Sequence, residues 1–526
     1  MNPRRDGARL QIQRSILLSL GAILLCALAA KAELLELHTR ASVESTRGSG
    51  DWHSVDKTVL WEPGRTAIVV CDMWNQHWCK GATARVAEMA PRMNQVLVEA
   101  RKRGVLIIHC PSDTMNYYKD FPQRKLAQAA PKVNVSGKLE TWGGLEPERE
   151  GPLPIDDSDG GCDDQPPCKS GNPWTHEIET LEIKEADAIT DSAEAYYLME
   201  QRGITNLIVL GVHGNMCVLG RPFSIRQMVH RGENVILMRD MIDTMYNSHM
   251  PPRVSHFAGT DLIIEHIEEH WCPSITSVDF LGGEPFHFEA DKRPHVVFVI
   301  GENEYHTWET LPEFALKELL KRGIRYSFVN ASPKPDDNAF SNFNLIKQAD
   351  LLFISVRRRT PPREMMTLLH DHLRAGKPLA GIRTASHAFG AEAPDHQHEA
   401  WQEFDAEILG CKYEGHFGNS VAARVSSISG VAGHPLLAGV PTNEFHVTSS
   451  LYKSRNLAKT VVPLMSGRLD GQDAAEPVAW INTNMNRRVF YTSLGNPDDF
   501  KQPFFRRLLL NGIFWSLGEK LPPASH

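Results

Sequence analysis

From Thr66 onward the chain alternates short aliphatic, β-branched runs with amphipathic stretches, and that rhythm constrains its fold more than any other feature. Ala67-Ile68-Val69-Val70-Cys71 is apolar at every position, so both of its faces have to be covered; Arg85 to Gly104 then reads as a helix, and Val105-Leu106-Ile107-Ile108-His109 as a second strand. Strands apolar on both faces and separated by helices form a parallel sheet with helices on each side. The rhythm resumes at Ala193 to Gly203 (helix), Asn206-Leu207-Ile208-Val209-Leu210 (strand), Cys217 to Gly232 (helix) and Asn234-Val235-Ile236-Leu237 (strand). It starts again beyond Gly282-Gly283-Glu284-Pro285 with His295-Val296-Val297-Phe298-Val299-Ile300, and ends in a helix near Phe504 to Leu517.

The two halves do not repeat one another. The expected fold class is therefore α/β, with two doubly wound parallel-sheet (Rossmann-like) three-layer domains after a signal peptide. The expected boundaries are a signal peptide at 1–32, an N-terminal linker at 33–58, a first domain at 59–283, a linker at 284–292, a second domain at 293–520 and a tail at 521–526. Residues 113–176, rich in Pro, Gly and Asp and without a period, form an insertion; irregular stretches of that length usually act as a lid or a partner surface.

Of 526 residues, 42% are hydrophobic and 23% charged, which fits folded domains and excludes a mainly disordered chain. The net charge of −8, with no Lys/Arg block in the folded part, argues against nucleic acid as a partner. Arg4, Arg5, Arg9 and Arg14 precede an apolar run from Ile16 to Ala30, followed by Ala30-Lys31-Ala32. That is the pattern of a secretory leader cut before Glu33, which would place the protein in the periplasm or outside the cell, or on the membrane if uncleaved. The run is shorter than the roughly 20 residues a spanning helix needs.

Nine cysteines include Cys26 in the leader. Cys162 and Cys168 share a Gly/Pro/Asp-rich loop, and in an oxidising compartment a local disulfide is expected there. Two cysteines alone cannot close a zinc site, so neither a metal nor another cofactor is expected. Cys71, Cys110 and Cys272 read as buried thiols, and His396 and His398 as surface residues.

In open parallel sheets reactive groups gather at the carboxyl ends of strands. Asp72 closes the first strand, and Cys217 follows the Leu207 to Leu210 strand through Gly211-Val212-His213-Gly214-Asn215-Met216. A thiol at a strand-to-helix turn meets the positive end of the helix dipole, which favours thiolate. Asp72 is placed to take the thiol proton, and Lys184, in Leu181-Glu182-Ile183-Lys184, to hold the pair ionised.

Val69-Val70-Cys71-Asp72-Met73, the intervening lysine and Leu210-Gly211-Val212-His213-Gly214-Asn215-Met216-Cys217-Val218 resemble the isochorismatase-like cysteine hydrolases over roughly residues 60 to 280. The resemblance implies Cys217 as nucleophile, Asp72 as proton acceptor and Lys184 as third member of a triad. It also implies a cis peptide at Val212-His213 and an oxyanion hole of backbone N–H groups around Met216 and Cys217. The segment His109-Cys110-Pro111-Ser112-Asp113 does not reproduce the metal-binding spacing of the family's nicotinamidases. An amide or carbamoyl C–N bond of a small molecule is the expected substrate, with Trp74, His77, Trp78, Tyr117 and Tyr118 as candidate pocket liners.

Residues 293 to 520 resemble the trehalose-utilisation (ThuA-like) family, which has a class I glutamine amidotransferase-like fold. The carrying segments include Gly301-Glu302-Asn303-Glu304-Tyr305-His306, Ala375-Gly376-Lys377-Pro378-Leu379-Ala380-Gly381-Ile382-Arg383 and Arg488-Val489-Phe490-Tyr491-Thr492-Ser493-Leu494-Gly495-Asn496. Arg383 stands where amidotransferases carry their cysteine, and the domain's one cysteine, Cys411, lies elsewhere, so glutaminase chemistry is not expected. His306, Arg383, His387, His416 and His446 are candidate lining of a cleft, and the resemblance implies a carbohydrate-related ligand. Two rival readings stay open: an inactive protein that binds sugar or cell wall, and a sugar-converting enzyme acting through the second domain. Homo-oligomerisation is also open.

Overall fold

The computed structural model describes residues 33–50, 52–134, 139–334, 336–418, 423–441, 443–448, 450–472 and 474–523; the leader expected at 1–32 lies outside the described residues. Two large, mostly parallel sheets, each covered on both faces, make two α/β domains. Among the described residues no helix is long and apolar enough to cross a membrane.

The first sheet contains β1 (Leu35–Glu44), β2 (Trp52–Trp61), β3 (Thr66–Cys71), β4 (Leu106–Cys110), β5 (Ala188–Ile189), β6 (Asn206–Val212), β7 (Asn234–Asp243) and β8 (Ser274–Ile275), in the order β2-β1-β8-β7-β6-β3-β4-β5. From β8 to β5 all neighbours run parallel. The central strands β3 and β6 are buried at every residue, as their unbroken apolar sequences require. Residues 33–58 are not a linker. They contribute the β1–β2 hairpin, which joins the sheet edge through Arg40 opposite Ser274. Leu35 and Leu37 alternate inward there while Glu36 and His38 face out, a period-two pattern that marks a half-buried strand.

Two apolar layers flank this sheet. One packs Val69, Ile108, Leu207 and Val209 against Leu219, Ile263 and Ile267; the other packs Ile68, Val70, Ile208 and Leu210 against Val86, Met89, Met93 and Leu97 of helix α1 (Lys80–Arg103). Each fully buried aliphatic side chain contributes roughly 1.5–3 kcal/mol, so these layers hold β3 and β6 rigidly side by side. Their carboxyl ends are also brought unusually close at Gly211, where a Cβ would lie 2.1 Å from the Cys71 carbonyl oxygen. Only glycine fits there, one residue from Asp72 on the neighbouring strand.

The second sheet has β9 (His295–Gly301), β10 (Arg325–Asn330), β11 (Leu351–Val356), β12 (Leu379–Ile382), β14 (Ala423–Ser427), β15 (Phe445–Val447), β17 (Val461–Leu469), β18 (Ala475–Asn482) and β19 (Val489–Thr492); β13 (Lys412–His416) and β16 (Tyr452–Arg455) pair separately. Its order is β10-β9-β11-β12-β19-β18-β17-β14-β15, parallel as far as β19 and antiparallel beyond. The domains meet through Tyr326, whose hydroxyl donates to Glu265 at 2.9 Å, and through Arg293, which bridges Asp261 and Asp291 at 2.8 Å each. A cleft of about 520 Å³ lies between them.

Candidate active site

Asp72 follows β3 with φ 49°, in the left-handed region that non-glycine residues seldom occupy. The turn buries its carboxylate completely and aims one oxygen, Oδ1, at the Ser112 N–H, 2.7 Å away. The other oxygen, Oδ2, has no hydrogen-bond donor among the described residues and faces Arg221 Nε at 3.4 Å. Cys217 opens a single helical turn, α2 (Cys217–Gly220), and is nearly buried; its thiol interacts with both Asp72 and Arg221. The Val212–His213 peptide on the approach to this turn is cis.

Lys184 is not part of this group. Its side chain is 55% exposed and its ammonium pairs with Glu182 at 2.6 Å. The cation beside Asp72 and Cys217 is instead Arg221, four residues after the cysteine, and it also reaches Asp113 at 3.6 Å. The signal was present in the sequence as Cys217-Val218-Leu219-Gly220-Arg221, since residues four apart share a helix face.

The electrostatics also differ from a simple helix-dipole picture. Burial, followed by the neighbouring Asp72, pushes the Cys217 thiol well above its ordinary range, with Arg221 opposing. Burial likewise raises the Asp72 carboxyl, again opposed by Arg221. A one-turn helix has little dipole to offset such desolvation. Asp72 and Cys217 thus form a coupled pair beside one fixed positive charge, which suits a pair holding one proton and one negative charge between them.

Trp74, His77 and Trp78 gather around the same turn. His77 stacks parallel to Trp74 at 6.0 Å and to Trp174 at 5.6 Å, tilts against Trp78 at 5.2 Å and meets His213 edge-on at 5.0 Å. Trp74 and Trp174 stack at 4.4 Å, and the Trp74 indole donates to the Ser112 carbonyl at 3.0 Å. Burial lowers His77 to about 4 and His213 to about 3, so both present neutral imidazoles. His213 Nε2 is buried with no hydrogen-bond partner among the described residues. Tyr117 stays half exposed, stacked on His176 at 4.7 Å, while Tyr118 is buried.

Residues of the 113–176 insertion close over this turn, which sequence periodicity could not indicate. Gly143 N–H donates to the Gly220 carbonyl, and a Cβ on Gly220 would come within 2.6 Å of the Trp142 ring. Arg221 lies 5.7 Å from the same ring. The far end of the insertion is pinned by His109 on β4, between Glu177 at 2.7 Å and Asp187 at 3.4 Å. Burial alone would lower His109, but Glu177 and Asp187 outweigh it and raise it to about 9.

Met216 is not a free oxyanion donor, because its N–H is committed to the His213 carbonyl at 3.0 Å; Val218 donates to the same oxygen at 3.1 Å and Gly214 to Asp243 at 2.7 Å. Cys162 and Cys168 are not disulfide-bonded: all eight cysteines of the described chain are free thiols.

In the second domain Arg383 follows β12 with φ 43° and is buried. Its guanidinium donates to the carbonyls of Ser493 (2.8 Å) and Ser450 (3.1 Å) and lies 4.2 Å from the Tyr305 ring and 4.7 Å from that of Tyr452. His387 stacks on Tyr413 at 4.2 Å, and His416 lies 6.3 Å from Tyr452, so these residues share one aromatic cluster. His306 is half exposed and packs against Trp308 instead, and His446 is exposed on β15. Glu302, overlooked in the sequence, accepts the N–H groups of Glu304, Tyr305 and Thr307 and so shapes the loop that presents Tyr305. Cys411 is buried in the core with Phe404 and Trp480.

Residues 295–516 match the ThuA family model, described as trehalose utilisation. None of the curated proteins matches the chain. Among solved structures, a protein described as ThuA-like from Parabacteroides merdae ATCC 43184 is 16% identical over 44% of this chain and 92% of its own, with a TM-score of 0.34. A cysteine hydrolase from Pseudomonas syringae pv. phaseolicola 1448A is 19% identical over 42% of this chain and 92% of its own, with a TM-score of 0.26. N-carbamoylsarcosine amidase from Thermoplasma acidophilum is 12% identical over 34% of this chain and 83% of its own, with a TM-score of 0.20. The ThuA match covers the second domain.

Proposed function

We propose that the first domain is a cysteine hydrolase acting on an amide or carbamoyl C–N bond of a small molecule. The carrying observation is the convergence of the Cys217 thiol, the Asp72 carboxylate and the Arg221 guanidinium at the ends of two adjacent strands. In this mechanism Asp72 Oδ2 takes the thiol proton as Cys217 sulfur adds to the substrate carbonyl. The proton then passes to the departing amine, leaving a thioester that water hydrolyses with Asp72 as base. Arg221 balances the negative charge that moves between carboxylate and sulfur. With the neighbouring amides committed, the Cys217 N–H, in the first turn of α2 where no intrahelical acceptor exists, is the backbone donor to the oxyanion. Neutral His213 and His77, set among indoles, favour a small planar, polar substrate.

The second domain is read as a ligand-binding unit, because its strand-end turn carries a guanidinium already committed to two carbonyls and no cysteine. A carbohydrate-related ligand, export by the leader and a homo-oligomeric state belong to this same reading. Intact-mass spectrometry of the protein and its Cys217→Ala variant with a panel of small amides and ureas tests the catalytic part. Acyl adducts or turnover confined to the unmodified protein support it; iodoacetamide labelling of Cys217 no faster than of Cys168, with no turnover, overturns it.

A further inference from the structure

Cys79, Cys162 and Cys168 come from two distant stretches of chain and converge on one carboxylate oxygen. Asp164 Oδ2 lies 3.4 Å from Cys79 Sγ, 3.6 Å from Cys162 Sγ and 3.2 Å from Cys168 Sγ, and it also accepts the Gly81 N–H at 3.0 Å. Four donors crowd one oxygen that offers two lone pairs, and Cys79 Sγ has a second acceptor in Asp163 Oδ1 at 3.6 Å, so three thiols and two carboxylates are packed into one small volume. The ligand atoms of Cys79, Cys162 and Asp164 all lie within 4.8 Å of one another, and Cys79 and Cys162 are buried; Cys168 stands beside Asp164 but outside that group.

A tetrahedral zinc ion, with bonds of about 2.3 Å to sulfur and about 2.0–2.2 Å to oxygen, sets neighbouring oxygen and sulfur ligands about 3.5 Å apart and neighbouring sulfurs about 3.8 Å apart. The oxygen–sulfur distances around Asp164 fall on either side of that value. Cys79 caps the amino end of the 24-residue helix α1, so the site sits where the insertion meets the start of that helix. The loop is held in place by Arg85, whose guanidinium donates twice to Asp163 and once to Asp243.

We propose that Cys79, Cys162, Cys168 and Asp164 form a structural site for a soft divalent cation, zinc by preference, that staples the 113–176 insertion to the start of α1. Binding releases the three thiol protons to solvent and forms three metal–sulfur bonds and one metal–oxygen bond, with no change of oxidation state. With Cys168 drawn in from beside Asp164 as the fourth ligand, all four positions are filled by protein, and the ion is structural and does not activate water. The apolar side of the cluster packs on Trp78 and Met216, so the staple braces the residue that precedes Cys217.

The test uses the full chain, reduced, stripped with chelator and titrated with Co²⁺ and then Zn²⁺. The expected result is one Co²⁺ per chain with intense sulfur-to-metal absorption in the near ultraviolet and visible bands of tetrahedral type, displaced by one Zn²⁺ that survives gel filtration. Cys162→Ser and Asp164→Asn should each weaken Zn²⁺ binding by roughly 100-fold or more, while Cys217→Ser keeps it unchanged. Circular dichroism of each variant separates lost binding from lost folding, and the spectrum of the unmodified protein needs no variant at all. Cobalt bands that persist in a folded Cys162→Ser protein, no retained zinc in the reduced wild type, or a Cys79–Cys162 disulfide mapped in protein isolated from its native compartment would each overturn the proposal.

Discussion

Arg221 Nε stands 3.4 Å from Asp72 Oδ2 and carries the positive charge expected of Lys184. The substitution of one cation for another changes which variants should matter. Cys217→Ala and Asp72→Asn are expected to lower kcat for amide hydrolysis by roughly 10³-fold or more, whereas Lys184→Ala, on the surface beside Glu182, leaves kcat and KM within twofold of wild type. Steady-state kinetics of the three variants settle the roles, and a loss in Lys184→Ala would contradict the arrangement.

Arg221 lowers the Asp72 carboxyl against the upward push of burial. Replacing it with Gln removes the lowering influence, so Asp72 protonates at higher pH and the acid limb of the kcat/KM profile moves upward. Arg221→Lys keeps the charge and should hold that limb near its wild-type position while losing some geometry. A pH–rate profile that does not move in Arg221→Gln rules out this role.

Gly220 lies under Trp142 so closely that a single methyl group has nowhere to go. Gly220→Ala therefore has to displace the indole or the Cys217 turn, and a shift of that size costs on the order of 10²-fold in kcat/KM. Trp142→Ala in the same background, by freeing the space, should restore part of the loss. Kinetics of the single and double variants show whether the two sites are coupled.

His109 ties β4 to the end of the insertion through Glu177 and Asp187, and its folded-state value is raised to about 9. A raised histidine stabilises the fold fully below its unfolded value of about 6.5 and loses that contribution as pH rises through about 9. Thermal melts from pH 6 to pH 10 should therefore show a declining Tm across this window, with a stability contribution on the order of 3 kcal/mol. The decline should be absent in His109→Gln.

Arg383 satisfies the carbonyls of Ser450 and Ser493 from within the second domain. Arg383→Met keeps much of the volume but leaves those acceptors buried, each at a cost of about 1–3 kcal/mol. Urea denaturation should show the loss in the transition of the second domain, and amide hydrolysis by the first domain is expected to be unaffected.

Much of the fold was legible before any coordinates. Val69-Val70-Cys71 and Leu207 to Leu210 are apolar without interruption, and only a strand covered on both faces satisfies such a run. The α/β class, the two domains and the placing of Asp72 and Cys217 at strand ends follow from that local pattern. The β1–β2 hairpin was missed because the strand's inward positions are Leu35, Leu37 and the polar Thr39, giving only two apolar positions before the alternation fades. In the second domain the aromatic cluster around Arg383 depends on β16 returning to the end of β12, which no local pattern encodes.

What the sequence by itself determined is whatever depends on neighbours along the chain: strand and helix periodicity, and the turn that ends β6 in Cys217. What only the tertiary structure decided depends on residues far apart in sequence. Arg221, rather than Lys184, meets Asp72 because the turn after Cys217 points back across the sheet end, while Lys184 has a nearer partner in Glu182. Cys79 meets Cys162 and Asp164 only when the aperiodic insertion folds onto α1. Apolar patterning decides which residues must be inside; which charges and thiols then meet is set by packing across distances that carry no signature in the chain.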